Sequence, residues 1–232
     1  MNHNQKGENQ IQQVSSFQEL ASTPFKGEIN AQCWSRELIG DFSEIIQKVE
    51  IDGNMTELST TQLLDLDLSE QGQLAREILI NDMELLKVHG ASPILNIIKN
   101  YEKDDSYPEF PTDVYSYHVD RSPVPTATFL CTYHGASSDI LPNTQGIQKI
   151  LVPEIRSKLK KLYGGNEEGF EAFLSEYFFD LHYQELPNAQ PISLGVGNLW
   201  KIAVDHPESE VSPCLHRAPE ENDGKNRLLL IC

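Results

Sequence analysis

The chain has 232 residues, enough for one domain with a sizeable buried core. Its 35 acidic and 18 basic residues give a formal charge of −17, which argues against a nucleic-acid-binding protein, because such binding depends on Lys and Arg. We expect a small-molecule partner instead, cationic or amino-acid-like, with a basic protein as the alternative. The four cysteines are far apart, no signal-like segment precedes them, and no apolar run approaches about twenty residues, so we expect a cytoplasmic protein without membrane partners.

The N-terminal half is predicted to be mainly helical. Residues 1–24 are polar and predict a flexible arm, which leaves residues 25–232 as a single domain. Alternation at 28–34 predicts a short strand, and apolar residues at helical spacing then predict three helices. These helices fall at residues 38–49, 74–88 and 93–101. Because this half shows no cluster of ligand-type residues, we assign it a scaffold role.

After residue 104 the pattern changes to strands. Prolines at 108, 111, 123 and 125 exclude a helix interior, and the β-branched and aromatic residues between and after them predict strands at 114–119 and 126–133. Helical spacing returns at 147–162 and 170–181, which predicts two inserted helices. Further strands are predicted within 191–204, 211–216 and 226–231. The fold class is therefore predicted to be α+β.

The candidate chemistry lies in His118-Val119-Asp120 and His216. Two imidazoles and one carboxylate form the ligand set that holds non-heme Fe(II) and leaves coordination positions open. A His-x-acid triplet is expected roughly once by chance in such a chain, and His206-Pro207-Glu208 is a second match. We interpret this second triplet as a loop, because it lies among Asp, Pro, Glu and Ser. In the alternative without a metal site, both histidines are ordinary strand residues and Asp120 caps a turn.

The order of these residues resembles the double-stranded β-helix (jelly-roll) oxygenases that use Fe(II) and 2-oxoglutarate. A strand with His-x-Asp is followed by an insertion, a Gly-containing turn, a His, and then Arg227. The resemblance implies a jelly-roll core with a helical N-terminal half and inserted helices. It implies that His118, Asp120 and His216 are the metal ligands and catalytic residues. It also implies that Arg227 holds the distal carboxylate of 2-oxoglutarate, and that this dioxygenase hydroxylates, desaturates or cyclises a small substrate.

A second resemblance covers residues 25–232. The segments 31–36, 129–135, 215–219 and 227–230 are similar to a bacterial domain family with no assigned reaction. This resemblance supports one folding unit and supplies no substrate. Only about six strands are legible after residue 108, whereas a jelly roll has eight, so segment 28–34 or strands hidden from the pattern must contribute.

Two other functions stay open at this stage. A non-catalytic jelly-roll module could bind Zn(II) or another ion as a sensor, store or docking domain. A fourth ligand such as His134, His206 or Cys214 would favour it over an open catalytic site. A metal-free interaction protein would instead present its helical half to a partner. The sequence contains no G-x-S-x-G, no P-loop and no G-x-G-x-x-G between a strand and a helix.

Overall fold

A computed structural model describes residues 8–103, 106–107, 109–220 and 225–232. These residues form six α-helices and twelve strands, with short 3-10 turns between some of them. The helices are α1 (Phe17–Ser22), α2 (Phe42–Lys48), α3 (Thr60–Asp65), α4 (Glu70–Val88), α5 (Pro153–Tyr163) and α6 (Phe170–Glu176). The strands are β1 (Ile11–Val14), β2 (Ala31–Trp34), β3 (Met55–Leu58), β4 (Ile94–Ile98), β5 (Ala127–His134), β6 (Asp139–Ile140), β7 (Gly146–Gln148), β8 (Tyr183–Glu185), β9 (Ile192–Ser193), β10 (Leu199–Ala203), β11 (His216–Arg217) and β12 (Arg227–Ile231).

Seven strands make one large sheet in the order β1-β2-β10-β5-β12-β4-β3. Strands β1 and β2 run parallel, and the other neighbours in this sheet are antiparallel. Two smaller sheets have the orders β11-β6-β9 and β7-β8. Residues 117–119 lie between the small sheets, where His118 bridges both His216 and His182. The large sheet therefore carries most of the pairing, and the smaller ones meet beside His118.

The two faces of the large sheet have different partners, because successive residues of a strand point to opposite faces. On one face, Phe129 and Tyr133 of β5 pack in a cluster with Leu79 and Leu86 of α4. On the other face, Leu130, Trp200 and Leu229 pack with Ile140 and Cys214 from the small-sheet region. We call these the helical face and the inner face. The inner face is the one that reaches the candidate metal ligands.

A buried ion pair ties helix α4 to the large sheet. The Arg36 guanidinium lies 2.7 Å from Asp82 Oδ2, and only 1% of the Asp82 side chain is exposed. The Tyr133 hydroxyl donates a 2.7 Å hydrogen bond to Asp82, and Arg36 also stacks over Trp34. The carboxylate is therefore satisfied from two directions, as a buried charge must be.

Most of the predicted elements are found, with three corrections. The strand predicted at 114–119 is wrong, because this segment makes only isolated bridges, from His118 to His182 and His216. The helix predicted at 93–101 is wrong, since Ile94–Ile98 is strand β4, hydrogen-bonded between β12 and β3. A short apolar run is equally typical of a buried helix and of a buried strand. Here the hydrogen bonds to β12 and β3 determine that the segment is a strand. The arm predicted for residues 1–24 is wrong from residue 8 onward, because β1 pairs with β2 and Leu20 of α1 is fully buried. Residues 1–7 lie outside the described part.

The mixed α/β class is confirmed in its coarse form, with a large, mostly antiparallel sheet and helices against it. The sheets do not close on one another, so the predicted jelly-roll core stays a prediction. The N-terminal half contributes four strands as well as helices, so it is less helical than expected. Among the described residues, no helix has the length and apolar character needed to cross a membrane.

We expect Gly40→Ala to lower the free energy of unfolding by about 2–4 kcal/mol. Gly40 has a φ of +106°, and a Cβ there would lie 2.6 Å from Ala75 N and 2.8 Å from Gln71 O, both in α4. Gly53→Ala is the matched control, because its φ is +71° and no atom lies within 4 Å of its Cβ position. That variant should lose only about 1–2 kcal/mol from backbone strain. Equal losses in urea unfolding would contradict the close approach of Gly40 to α4.

Candidate metal centre

His118 and His216 are brought together by backbone pairing. His118 N donates to His216 O at 2.9 Å, and His216 N donates to His118 O at 3.0 Å. Residues so paired carry their side chains on the same face, and the two ring centroids lie 4.5 Å apart. The 97 residues between them in sequence therefore do not separate them in space.

Both imidazoles are oriented by backbone carbonyls. His118 Nδ1 lies 2.8 Å from Ser116 O, and His216 Nδ1 lies 3.2 Å from Cys214 O. Because a carbonyl only accepts, each Nδ1 carries the proton, and each Nε2 keeps its lone pair. The carbonyl of residue i−2 is used in both cases. This is the arrangement that typically fixes the tautomer of a metal-binding histidine.

Asp120 completes the group. His118 Nε2 lies 3.9 Å from Asp120 Oδ1, and His216 Nε2 lies 3.7 Å from Asp120 Oδ2. The Thr128 hydroxyl on the inner face of β5 donates a 2.5 Å hydrogen bond to Asp120 Oδ2. The carboxylate side chain is 35% exposed, whereas the imidazole side chains are 14% and 9% exposed. The carboxylate thus forms the open side of the cluster.

The protonation states suit cation binding. Burial, together with the neighbouring His216, lowers the pKa of His118 to about 4, so its ring is neutral at neutral pH. Burial alone would raise the pKa of Asp120, but His216, the Thr128 hydroxyl and His118 outweigh this effect and lower it. His118 therefore offers a neutral imidazole and Asp120 an ionised carboxylate, the forms that bind metal.

The spacing fits one ion. A first-row divalent ion binds nitrogen and oxygen ligands at about 2.1 Å, so two of its ligands lie at most about 4.2 Å apart. Both imidazole–carboxylate distances fall within this limit. The candidate ligand atoms as a set lie within 4.8 Å of one another, a bound about 0.6 Å wider than the limit. No fourth His, Cys, Asp or Glu of the described residues joins the group. Three protein ligands are the number that leaves open positions on an ion.

The other ligands proposed from sequence lie elsewhere or are unsuited. His206 lines a separate cavity with Lys201. Cys214 is fully buried, and burial raises the pKa of its thiol, which disfavours the thiolate that a metal requires. His134 at the end of β5 is outside the group that the geometry defines.

Arg227, at the start of β12, is buried on the inner face, with 5% exposure. Its Nη2 donates to Thr132 Oγ1 and Ser138 Oγ, each at 2.9 Å, and its Nη1 donates to the Tyr101 hydroxyl at 3.1 Å. Its Nε has no hydrogen-bond partner within the described ranges. All three observed partners are neutral hydroxyls, and burial lowers the pKa of the guanidinium.

Gly135 permits this placement of Arg227. Strands β5 and β12 change register between Leu228 and Leu229, beside the pairing of Leu228 with His134. Gly135 follows with a φ of +86°, and a Cβ there would lie 3.0 Å from the Cα of Arg227. A side chain at residue 135 would therefore push β12 away and shift the guanidinium.

The metal cluster and Arg227 share one strand face. Thr128 bonds to Asp120 and Thr132 bonds to Arg227, and these two threonines point to the same side of β5. Four residues of extended strand span about 13 Å. The candidate metal ligands and the buried guanidinium are thus anchored at two positions on one strand.

A cavity of about 260 Å³ opens beside the cluster and is lined by His118, Asp120, His182 and Phe178 among others. Next to it, Arg121 bonds to Asp180 at 2.8 Å and to Asp205 at 2.9 Å. Its positive charge is therefore neutralised by the protein. The cavity gives the cluster an approach from solvent.

Sequence reasoning proposed His118, Asp120, His216 and Arg227 as site residues, and the structure adds the residues that contact them. These are Tyr101, Thr128, Thr132, Ser138 and His182. Thr128 and Thr132 were detectable in principle, since both lie on one face of a predicted strand. No local pattern marks the others.

Comparison with known proteins adds no assignment: no family model, no curated protein and no solved structure matches this chain.

Proposed function

We propose that the protein is an Fe(II)- and 2-oxoglutarate-dependent oxygenase that hydroxylates, desaturates or cyclises a small amino-acid-like or cationic substrate. Its core would be a double-stranded β-helix whose walls are the large sheet and the strands around His118. One observation carries this proposal. Arg227 is a buried cation without a carboxylate partner in the described chain, and it lies on the same strand face as a His-Asp-His cluster.

A buried guanidinium that contacts only neutral hydroxyls would be stabilised by a bound anion. Desolvating a cation costs several kcal/mol unless an opposite charge compensates it. The planar fork of Arg227 matches a carboxylate, and the hydroxyls of Thr132 and Ser138 can bond to the same oxygens. A dicarboxylate with one end at the cluster would lie along the inner face of β5 with its other end toward Arg227.

The residues divide the work as follows. His118, His216 and Asp120 would hold Fe(II), and the two carbonyl-fixed rings keep their lone pairs directed at it. Fe(II), 2-oxoglutarate and dioxygen together supply the oxidising chemistry. Arg227 would orient the cosubstrate, and the apolar inner face would exclude water behind it. The substrate would approach through the cavity beside His118 and Asp120.

The test is an anaerobic titration of the metal-free protein with Fe(II) and then 2-oxoglutarate, followed by visible absorption. The expected result is a weak metal-to-ligand charge-transfer band that appears only when both are present. Iron binding without this band would favour the non-catalytic metal-binding module instead. No binding of iron would remove the metal centre from the proposal altogether.

Arg227→Met is expected to leave Fe(II) binding intact and to weaken 2-oxoglutarate binding by about 100-fold. Two charge-assisted hydrogen bonds are lost, worth about 3 kcal/mol together. Because no described carboxylate pairs with Arg227, its loss should leave no counter-ion unpaired and should cost only its three hydrogen bonds to hydroxyls. Lys99→Met, on the neighbouring segment, is the control for loss of one positive charge. Marked unfolding of Arg227→Met, with unchanged cosubstrate affinity in the folded fraction, would make the arginine structural.

A further inference from the structure

A second cavity, of about 600 Å³, lies on the helical face of the large sheet. It is bordered by Ala127 and Phe129 of β5, by the segment after α1, and by His89 at the end of α4. Thr128, between the two β5 residues, points to the other face and bonds to Asp120. The sheet therefore separates this cavity from the candidate metal centre. Its volume is in the range of about 300–1,000 Å³ found for small-molecule sites.

The lining is free of acidic side chains in a strongly acidic protein. The chain has 35 Asp and Glu against 18 Lys and Arg, yet no described residue that lines this cavity is Asp or Glu. Lys201, His89 and His206 line it instead, together with the rings of Phe25 and Phe129. Apolar walls with a few convergent hydrogen-bond donors are typical of a binding site for a small organic molecule.

Lys201 is the charged group of the cavity. It lies on β10 and is 9% exposed. Its ammonium donates to Thr23 O at 2.8 Å and to Ala21 O at 3.5 Å, and it lies 4.9 Å from the centre of the Phe25 ring. No carboxylate of the described chain pairs with it, and burial lowers its pKa. The carbonyls at the end of α1 use two of three N–H groups, which leaves one donor.

The histidines add one directed donor, from His206, and one positioned ring, from His89. His206 Nδ1 accepts a 3.2 Å hydrogen bond from Glu208 N, so the proton of the neutral ring is on Nε2. His89 is held edge-on to Phe17 and Phe129, with ring centroids 6.3 Å and 5.6 Å away. Fixed rings of this kind keep their position when a ligand binds, which lowers the entropy cost of binding.

We propose that this cavity binds an organic anion, a carboxylate on a small apolar or aromatic body. The carboxylate would lie at Lys201 and the imidazole of His206, and the body would pack against Phe25 and Phe129. This inference is independent of the proposed oxygenase activity, because it uses no residue of the metal cluster. It assigns a second ligand site to the opposite face of the same sheet.

The experiment is calorimetric titration of the full chain with phenylacetate and with its neutral isostere phenylacetamide. The expected result is that phenylacetate binds at least about tenfold more tightly, because only the acid gains a charge-assisted hydrogen bond. Lys201→Met should abolish this preference, and Lys48→Met, at an exposed position in α2, should retain it. Equal binding of acid and amide, or no binding of either, would overturn the proposal.

Two further variants keep the result interpretable. Lys201→Met removes a hydrogen bond at the end of α1, so its fold must be checked by circular dichroism. If it does not fold, His206→Ala takes its place, since His206 is half-buried in a loop, and it should weaken phenylacetate several-fold. Asp120→Asn should leave phenylacetate binding unchanged. Loss of binding in Asp120→Asn would place the ligand at the metal cluster and overturn the proposal.

Discussion

Asp120→Asn is expected to abolish Fe(II) binding in a protein that stays folded. The substitution keeps the size of the side chain and removes its charge, so only the two imidazoles remain to hold a divalent ion. The Thr128 hydroxyl can still donate to the amide oxygen, and Asp205 N can still donate to the backbone carbonyl of residue 120. Loss of even a supporting partner of a metal ligand costs about 10–100-fold, so loss of the anionic ligand should cost at least about 100-fold.

The measurement is the amount of iron retained after anaerobic loading and gel filtration, with circular dichroism as the check on folding. Asp113→Asn is the matched control, because Asp113 lines the same cavity and is not part of the ligand group. It makes the same change of charge beside the site and should retain iron. If Asp120→Asn holds as much iron as Asp113→Asn, the carboxylate is not a ligand, and the proposed metal centre fails.

The second large effect concerns stability. Asp82→Ala is expected to lower the free energy of unfolding by about 3–5 kcal/mol, because it leaves the buried Arg36 without its counter-ion. The Tyr133 hydroxyl loses its acceptor at the same time. Glu84→Ala in the same helix is the control, since its pairing with Lys87 is solvent-exposed, and its loss should be within about 0.5 kcal/mol.

A double variant separates charge from packing at this position. Replacing Arg36 by Met and Asp82 by Leu together removes both charges, and a buried ion pair exchanged for apolar residues is often close to neutral. We therefore expect Arg36→Met/Asp82→Leu to be more stable than Asp82→Ala in urea unfolding. If the double variant is less stable than Asp82→Ala, the Arg36–Asp82–Tyr133 network stabilises the fold by more than the pairing of its two buried charges.

The helices and strands are predicted correctly where the periodic segment is long and incorrectly where it is short. The 74–88 pattern predicts a helix, and the structure has one over Glu70–Val88. The predicted strand at 126–133 matches Ala127–His134. The run at 93–101 is too short for its period to separate a helix from a buried strand. Pairing with β12, more than a hundred residues later, decides it, and no local window contains that information.

The candidate metal-binding residues could be proposed from the sequence, but the residues that surround them could not. His118, Asp120 and His216 were predicted from ordering along the chain, and the structure places them together. The isolation of Arg227 from any described carboxylate depends on which side chains reach it across the sheet. The acid-free cavity at Lys201 is a similar case, since its lining comes from segments spread from residue 21 to residue 232. The net charge is a sum over the whole chain, so it does not reveal a local surface without acidic residues.

The position of β12 bears on how the chain is made. The last described strand in sequence is an interior strand of the large sheet, between β5 and β4. Until Arg227–Ile231 leaves the ribosome, β4 and β3 lack the strand that pairs them to β5. We therefore expect the large sheet to be completed only after synthesis has passed residue 231. Contacts this distant in sequence also favour slow folding, so truncation before residue 227 should yield aggregated protein.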